Sequence, residues 1–257
     1  MSAAAAIAGV FDNVGGLLLR LRQTTSSVLR GRCDRTETIR LVDEGLQDVA
    51  ATAAFGAIVI GGIVGLQGLT YLDRYAATEV FGWAAALSAF RDVGPTLLAF
   101  AVAARLGTRN AAETATLAAK ERLDAICALG KDPVHLVVAP RTVAILLVSL
   151  LLYPPCAIGM LVTAFVFALL LGDQAIAISW WSVVEYVEPS LLLEGLLRMA
   201  CFGLAVGIGT THAGLSLWQS DRRSATDIGD AVYAGSVTSV SAIVVVNLVL
   251  SLLGGTG

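Results

Sequence analysis

AATAAFGAIVIGGIVGLQGL, residues 50–69, carries no charged side chain. At about 1.5 Å of rise per residue, a helix of that length crosses the ~30 Å hydrocarbon layer of a bilayer once. The pattern recurs along the chain. Residues 81–106 form a second apolar run, interrupted in its interior by Arg91 and Asp92, and residues 135–171 a third, with Arg141 near its start and Pro154-Pro155 in its middle. Residues 196–218, entered through Arg198, and 231–253 follow. Of the 257 residues 56% are hydrophobic and 14% charged, and the mean hydropathy is +0.79, more than a water-soluble domain of this size needs to fill its core. The chain is predicted to be an all-α polytopic membrane protein.

The length of 135–171 allows either one broken span or a tight hairpin, and loop charge decides between them, because positively charged loops stay cytosolic. Arg20, Arg22, Arg30, Arg32, Arg35 and Arg40 precede the first span, and Arg109, Lys120, Arg122 and Lys131 follow the second. Residues 172–194 hold Asp173, Glu185, Glu188 and Glu194 with no Lys or Arg, whereas 220–230 hold Arg222-Arg223. One broken span puts the acidic loop outside and the arginine pair inside. Five spans then leave the N-terminus cytosolic and the C-terminus external. Residues 1–45 form an N-terminal arm whose apolar positions Ile7, Val10, Phe11, Val14, Leu17, Leu18 and Leu21 among arginines suit a helix lying in the interface plane, or else a partly disordered segment. Trp180-Trp181 read as interface anchors. No cleaved export signal is expected, since no positive start precedes an apolar run in the first ~20 residues.

Glycines at near small-xxx-small spacing in the first span (Gly56, Gly61, Gly62, Gly65, Gly68) and the fourth (Gly203, Gly207, Gly209, Gly214) mark helix faces that approach closely, within one subunit or across a dimer seam. A net charge of -3 and a pI near 5.4 speak against nucleic acid. His135 and His212 are far apart, and Cys33, Cys127, Cys156 and Cys201 show no metal-site spacing and read as free, buried thiols, so no metal is expected. No nucleophile with a base, no carboxylate pair in a pocket and no phosphate-binding glycine loop is present. Energy, if used, comes from a partner. Residues 111–129 contain no Gly or Pro and read as one helix with Leu117, Leu123 and Ile126 among charges, capped at Gly130 and stopped by Pro133. Such a helix, exposed between two spans, is either a docking element for a soluble motor domain or a plain connector. Arg91 and Asp92 at membrane depth mark either a substrate path or a structural ion pair. Arg198 reads as structural, snorkelling toward the outer surface.

From about Ile39 to Leu253 the chain resembles the MlaE/YrbE family of ABC transporter permeases, which serve lipid transport with MCE-domain proteins. The blocks that carry the resemblance, in order, are Gly65-Leu66-Gln67-Gly68, Arg91-Asp92-Val93-Gly94-Pro95, Ala103-Ala104-Arg105, Ala112-Glu113, Asp124-Ala125 with Gly130, Asp132 and Pro133, then Pro140-Arg141 and Cys201-Phe202-Gly203.

The resemblance implies an N-terminal interfacial helix over 1–45, then a permease domain over 46–257 with five spans and a cytosolic coupling helix. Two copies, or two related permeases, would surround a lipid cavity. ATP and Mg would be bound by a partner ABC ATPase, MCE-domain proteins would complete the assembly, and this chain would bind no cofactor. By position Glu121, Arg122, Asp124, Ala125, Leu129, Gly130, Asp132 and Pro133 would couple to the ATPase. Val64, Tyr71, Leu72, Tyr75, Arg91 and Asp92 would line the lipid cavity, with apolar and aromatic walls for acyl chains and charge for a headgroup. The implied location is the bacterial inner membrane. Departures such as Ala104, Thr108-Arg109-Asn110, Thr114-Ala115 and Arg122 keep open a heterodimer and a non-transporting structural partner. A membrane-embedded lipid enzyme is a third reading, with little beyond Asp92 and Glu113 to support it. The lipid and the direction of transport are not set by the sequence.

Overall fold

The computed structural model describes residues 35–171, 176–218 and 224–254, and every element among them is helical. Helix α1 spans Arg35–Arg74; a short 3-10 turn, Thr78–Val80, leads into α2, Phe81–Leu87. A π-turn at Ser88–Asp92 joins α2 to α3, Val93–Val102, and a second at Ala103–Gly107 joins α3 to α4, Thr108–Ala119. Then come α5, Arg122–Ala128, a π-turn at Val134–Val138, α6, Ala139–Leu171, α7, Ile176–Tyr186, α8, Pro189–Ser216, and α9, Ala225–Gly254.

Five stretches are long and apolar enough to cross a bilayer: Arg35–Arg74, Thr78–Ala119, Leu136–Leu170, Pro189–Ser216 and Ala225–Leu252. The third apolar run is one span, because α6 passes through Pro154 and Pro155 without turning back. The first span begins at Arg35, ahead of the uncharged run at Ala50, because helix continues wherever charged side chains reach water. Residues 1–34, including the predicted interfacial face, lie outside the described residues, as do Asp173 and Arg222-Arg223; residues 35–45 continue directly into α1.

Two sequence expectations change. Residues 111–129 are not one helix: α4 ends at Ala119, and Glu121 takes a left-handed conformation (φ 57°) before α5. A left-handed non-glycine residue costs about 1–2 kcal/mol, but the break lets Leu123, fully buried, pack against Ala115, Ala118, Val138, Leu215, Leu217 and Ala231. Burying one leucine contributes about 1.5–3 kcal/mol, enough to offset the strained residue. The thiols also differ from expectation: Cys156 is buried, but Cys127 and Cys201 are exposed, since among the described residues Cys127 is on the open side of α5 and Cys201 on a face of α8 that no other helix covers.

The chain forms two compact units, one from the described residues up to Gly45 with Val102–Leu147 and Gly203–Val245, the other from Leu46–Ala101, Val148–Phe202 and residues from Val246 on. In the second, Gly61 and Gly65 of α1 leave no room for a Cβ against the Met160 and Ala164 carbonyls of α6. That glycine face packs within the subunit. The Thr163 hydroxyl donates to the Ala57 carbonyl at 3.3 Å across the same contact. Helix α7 lies against α2, where the Ser182 hydroxyl accepts the Trp83 backbone N–H at 3.1 Å, and its Trp180 meets Phe165 of α6 edge-on at 5.4 Å. In the first unit, Gly207 faces Thr142, and Gly214 faces Thr114 and Ala111, so the fourth span's glycines also serve intrachain packing.

Candidate functional site

The stretch Arg91-Asp92-Val93-Gly94-Pro95 acquires its meaning from the π-turn that carries it. Pro95 has no N–H, so the carbonyls four and five residues before it, those of Arg91 and Phe90, lose the donor that another residue would offer. The wider π-turn over Ser88–Asp92 absorbs the irregularity, and the buried Tyr153 hydroxyl of α6 donates to the Phe90 oxygen at 2.6 Å. The same turn swings the Ala89 carbonyl inward, far inside contact distance of any Cβ at position 94, which is why glycine stands there. Gly195 of α8 is excluded from carrying a side chain in the same way, by the Tyr153 hydroxyl and the Phe90 carbonyl. Three helices therefore meet at one hydrogen bond.

That close approach sets the charges. Arg91 Nε lies 3.3 Å from Glu194 Oε2, and Asp92 Oδ1 lies 3.1 Å from Arg198 Nη1, so the two ends of one α8 turn take the two neighbours on the π-turn. Arg198 does not snorkel to the surface: its side chain is 6% exposed, and Nη1 also donates to Asn247 Oδ1 at 3.2 Å and Ser251 Oγ at 3.4 Å on α9. Two positive and two negative groups leave the cluster neutral. In a medium without water a single unpaired charge is costly, and removing one member of a buried pair costs about 3–5 kcal/mol. Asp92 and Glu194 are half-exposed, so the buried Arg198 holds Asp92, and the partly buried Arg91 holds Glu194, at an open edge.

Of the other residues expected at a lipid path, Val64, Tyr71 and Leu72 share one face of α1 at i, i+7 and i+8. Tyr71 and Tyr75 are 60% and 81% exposed. The Arg74 guanidinium stands 5.8 Å from the Tyr71 ring centre. The sequence reading missed Tyr153, Glu194, Gly195 and Asn247. Glu194 and Arg198 at i, i+4 at the edge of an apolar run were the available signal, obscured because Glu194 was counted with the acidic loop.

The expected coupling residues gather on α5 and its cap. Gly130 (φ 71°) closes the helix: its N–H reaches the Cys127 carbonyl at 2.9 Å and the Lys131 N–H the Ile126 carbonyl at 3.2 Å, the two bonds of a Schellman cap. Leu123 and the partly buried Ile126 face inward, and Trp218 Nε1 donates to Asp124 Oδ1 at 2.7 Å, fixing the helix by its polar edge. Outward stand Glu121, Arg122, Ala125, Asp132 and Leu129, the last 76% exposed; Pro133 is buried. In the same unit Arg141 Nη1 of α6 donates to Glu113 Oε2 at 2.7 Å and to Asn110 Oδ1 at 3.4 Å. Arg109 binds Glu113 at 2.8 Å and Glu44 of α1 at 2.5 Å, and Asn110 Nδ2 donates to Thr210 of α8 at 2.8 Å. This ladder ties α1, α4, α6 and α8 together. Among the described residues no group of three His, Cys, Asp or Glu is placed to hold a metal ion.

Residues 40–253 match the family model described as Permease MlaE. A probable ABC transporter permease protein of Synechocystis sp. is 28% identical over 237 residues, covering 90% of this chain and 87% of its own length. The intermembrane phospholipid transport system permease protein MlaE of Haemophilus influenzae is 29% identical over 159 residues, 58% of each chain. The chloroplastic protein TRIGALACTOSYLDIACYLGLYCEROL 1 of Arabidopsis thaliana is 22% identical over 234 residues, 89% of this chain and 64% of that protein.

Proposed function

The chain belongs to the MlaE permease family, and we propose that it forms the lipid path of an ABC-type phospholipid transporter, with ATP and Mg bound and hydrolysed by a separate subunit. The intermembrane phospholipid transport named for the Haemophilus influenzae relative supports a phospholipid as cargo. In this reading the chain works as a dimer with itself or a related permease, beside MCE-domain proteins in a bacterial inner membrane. Its N-terminus and α5 are cytosolic and its C-terminus is external. The face of α1 with Val64, Tyr71 and Leu72, and with Tyr75 just beyond, supplies apolar and aromatic surface for acyl chains. Arg91 and Asp92, held by Glu194 and Arg198, supply charge for a headgroup.

One observation carries the coupling part: a large apolar side chain, Leu129, stands 76% exposed at the end of a short helix between two spans, while the opposite side of that helix is fixed by Leu123 and the Asp124–Trp218 hydrogen bond. A rigid helix with one apolar knob facing out suits the groove of a soluble ATPase. The test substitutes the knob and leaves the anchor alone. In proteoliposomes containing the whole transporter, Leu129→Asp is expected to abolish ATP-dependent lipid movement and weaken ATPase capture, with thermal unfolding of the permease unchanged. Full transport by a normally folded Leu129→Asp protein would refute the coupling role.

A further inference from the structure

Between α4, the turn into α5 and the start of α6 lies a hollow of about 280 Å³ whose polar lining is Glu113, Thr116, Lys120, Arg122 and Arg141. We propose that this hollow binds the phosphate of an anionic bilayer lipid headgroup. The assignment does not rest on the transport reading above.

The charge balance favours an anion. Glu113 is the one carboxylate in the lining, and both its oxygens are in use, Oε1 by Arg109 and Oε2 by Arg141. Lys120 and Arg122 make no ion pair or side-chain hydrogen bond among the described residues. Arg141, only 16% exposed at its side chain, spends Nη1 on Glu113 and Asn110. Its Nε and Nη2 have no acceptor among the described residues, yet neither is sealed from the surface. A half-used guanidinium beside two unpaired cations presents a fork of donors that matches phosphate oxygens.

The depth of the hollow fits a headgroup. Thr114 packs against Gly214, two residues from the end of α8, so residues 116–122 lie where that span leaves the apolar layer. Thr142, next to Arg141, packs against Gly207, which is about 10 Å further in along α8. The cations thus cover the range over which a lipid phosphate sits, and basic pockets between spans at a membrane surface recognise such headgroups. Leu117, partly buried against the core beneath, gives the hollow an apolar wall.

The full chain, without any ATPase, is reconstituted in nanodiscs of phosphatidylcholine, with or without phosphatidylglycerol, and the lipids retained are measured by native mass spectrometry. The wild type is expected to retain phosphatidylglycerol preferentially, and the exposed-site double variant Lys120→Ala/Arg122→Ala to lose roughly tenfold or more of that preference. Lys131→Ala, which removes a nearby cation outside the hollow, should keep it. A second arm adds inorganic phosphate to discs of phosphatidylcholine alone. Phosphate binding there without any phosphatidylglycerol preference would overturn the lipid assignment in favour of a soluble anion. An unchanged preference in a folded double variant would overturn the site.

Discussion

Gly94 and Gly130 resist substitution for opposite reasons. At Gly94 the backbone is ordinary helix and the obstacle is the Ala89 carbonyl; at Gly130 nothing lies within 4 Å of an added Cβ and the obstacle is a φ of 71°. Gly130→Ala should therefore cost about 1 kcal/mol, the strain of a left-handed residue. Gly94→Ala should cost about 3 kcal/mol or more, since backbone atoms have to move. Thermal unfolding of the two variants in detergent, compared side by side, checks the order, and equal losses would contradict it. Arg91, Asp92, Gly94 and Pro95 stood out in the sequence because charge, glycine and proline are rare inside an apolar run. Their partners did not: the acid and base that neutralise them are set by how α8 approaches at Gly195, which no local pattern announces. Nor did Glu121 signal a left-handed turn, because the side chain that offsets its strain is Leu123, two positions later, and what Leu123 buries against comes from other spans.

Helix α5 is short, with seven residues, far below the length at which a helix persists alone in water. Among the described residues, buried Leu123, partly buried Ile126, the Trp218–Asp124 hydrogen bond and the cap at Gly130 hold it. Leu123→Ala is expected to destabilise the first unit by about 2–5 kcal/mol, the range for a fully buried leucine. A double-mutant cycle on Asp124→Ala and Trp218→Phe should return a coupling near 1–2 kcal/mol for the hydrogen bond between them. Both are readable by hydrogen exchange at residues 122–130, which should open in each single variant; unaltered protection would mean that the helix is held some other way. Amphipathic pattern and cap at Gly130 were readable in the sequence, so the element was found with the wrong start. The charged cluster predicts a matching asymmetry: Arg198→Met alone should cost about 1–3 kcal/mol, because the half-exposed Asp92 loses its partner and Asn247 and Ser251 lose a charged donor, while Arg198→Met with Asp92→Leu should cost less than the single change. A double variant worse than the single would contradict this in thermal unfolding.

All five spans were legible from hydropathy, since each is a long run that nothing but a bilayer requires. Their ends were not, because a helix whose polar residues can reach water continues past its apolar core, as α1 does from Arg35. The proposed sidedness rests on the loop charges alone and has a direct test. Cys127 is exposed beside Lys120, Arg122 and Lys131, so in a variant retaining it as the one cysteine, an impermeant maleimide should label it in inverted vesicles and not in intact cells. The reverse labelling would invert the topology. The second span differs from the others in carrying two π-turns, and each holds one residue more than regular helix needs. Deleting a residue within 88–92 would let the span close into ordinary helix and carry the Ala89 carbonyl away from position 94. The extra residue and the glycine are thus interlocked: Gly94→Ala, costly in the intact span, is expected to become tolerable once the insertion is removed.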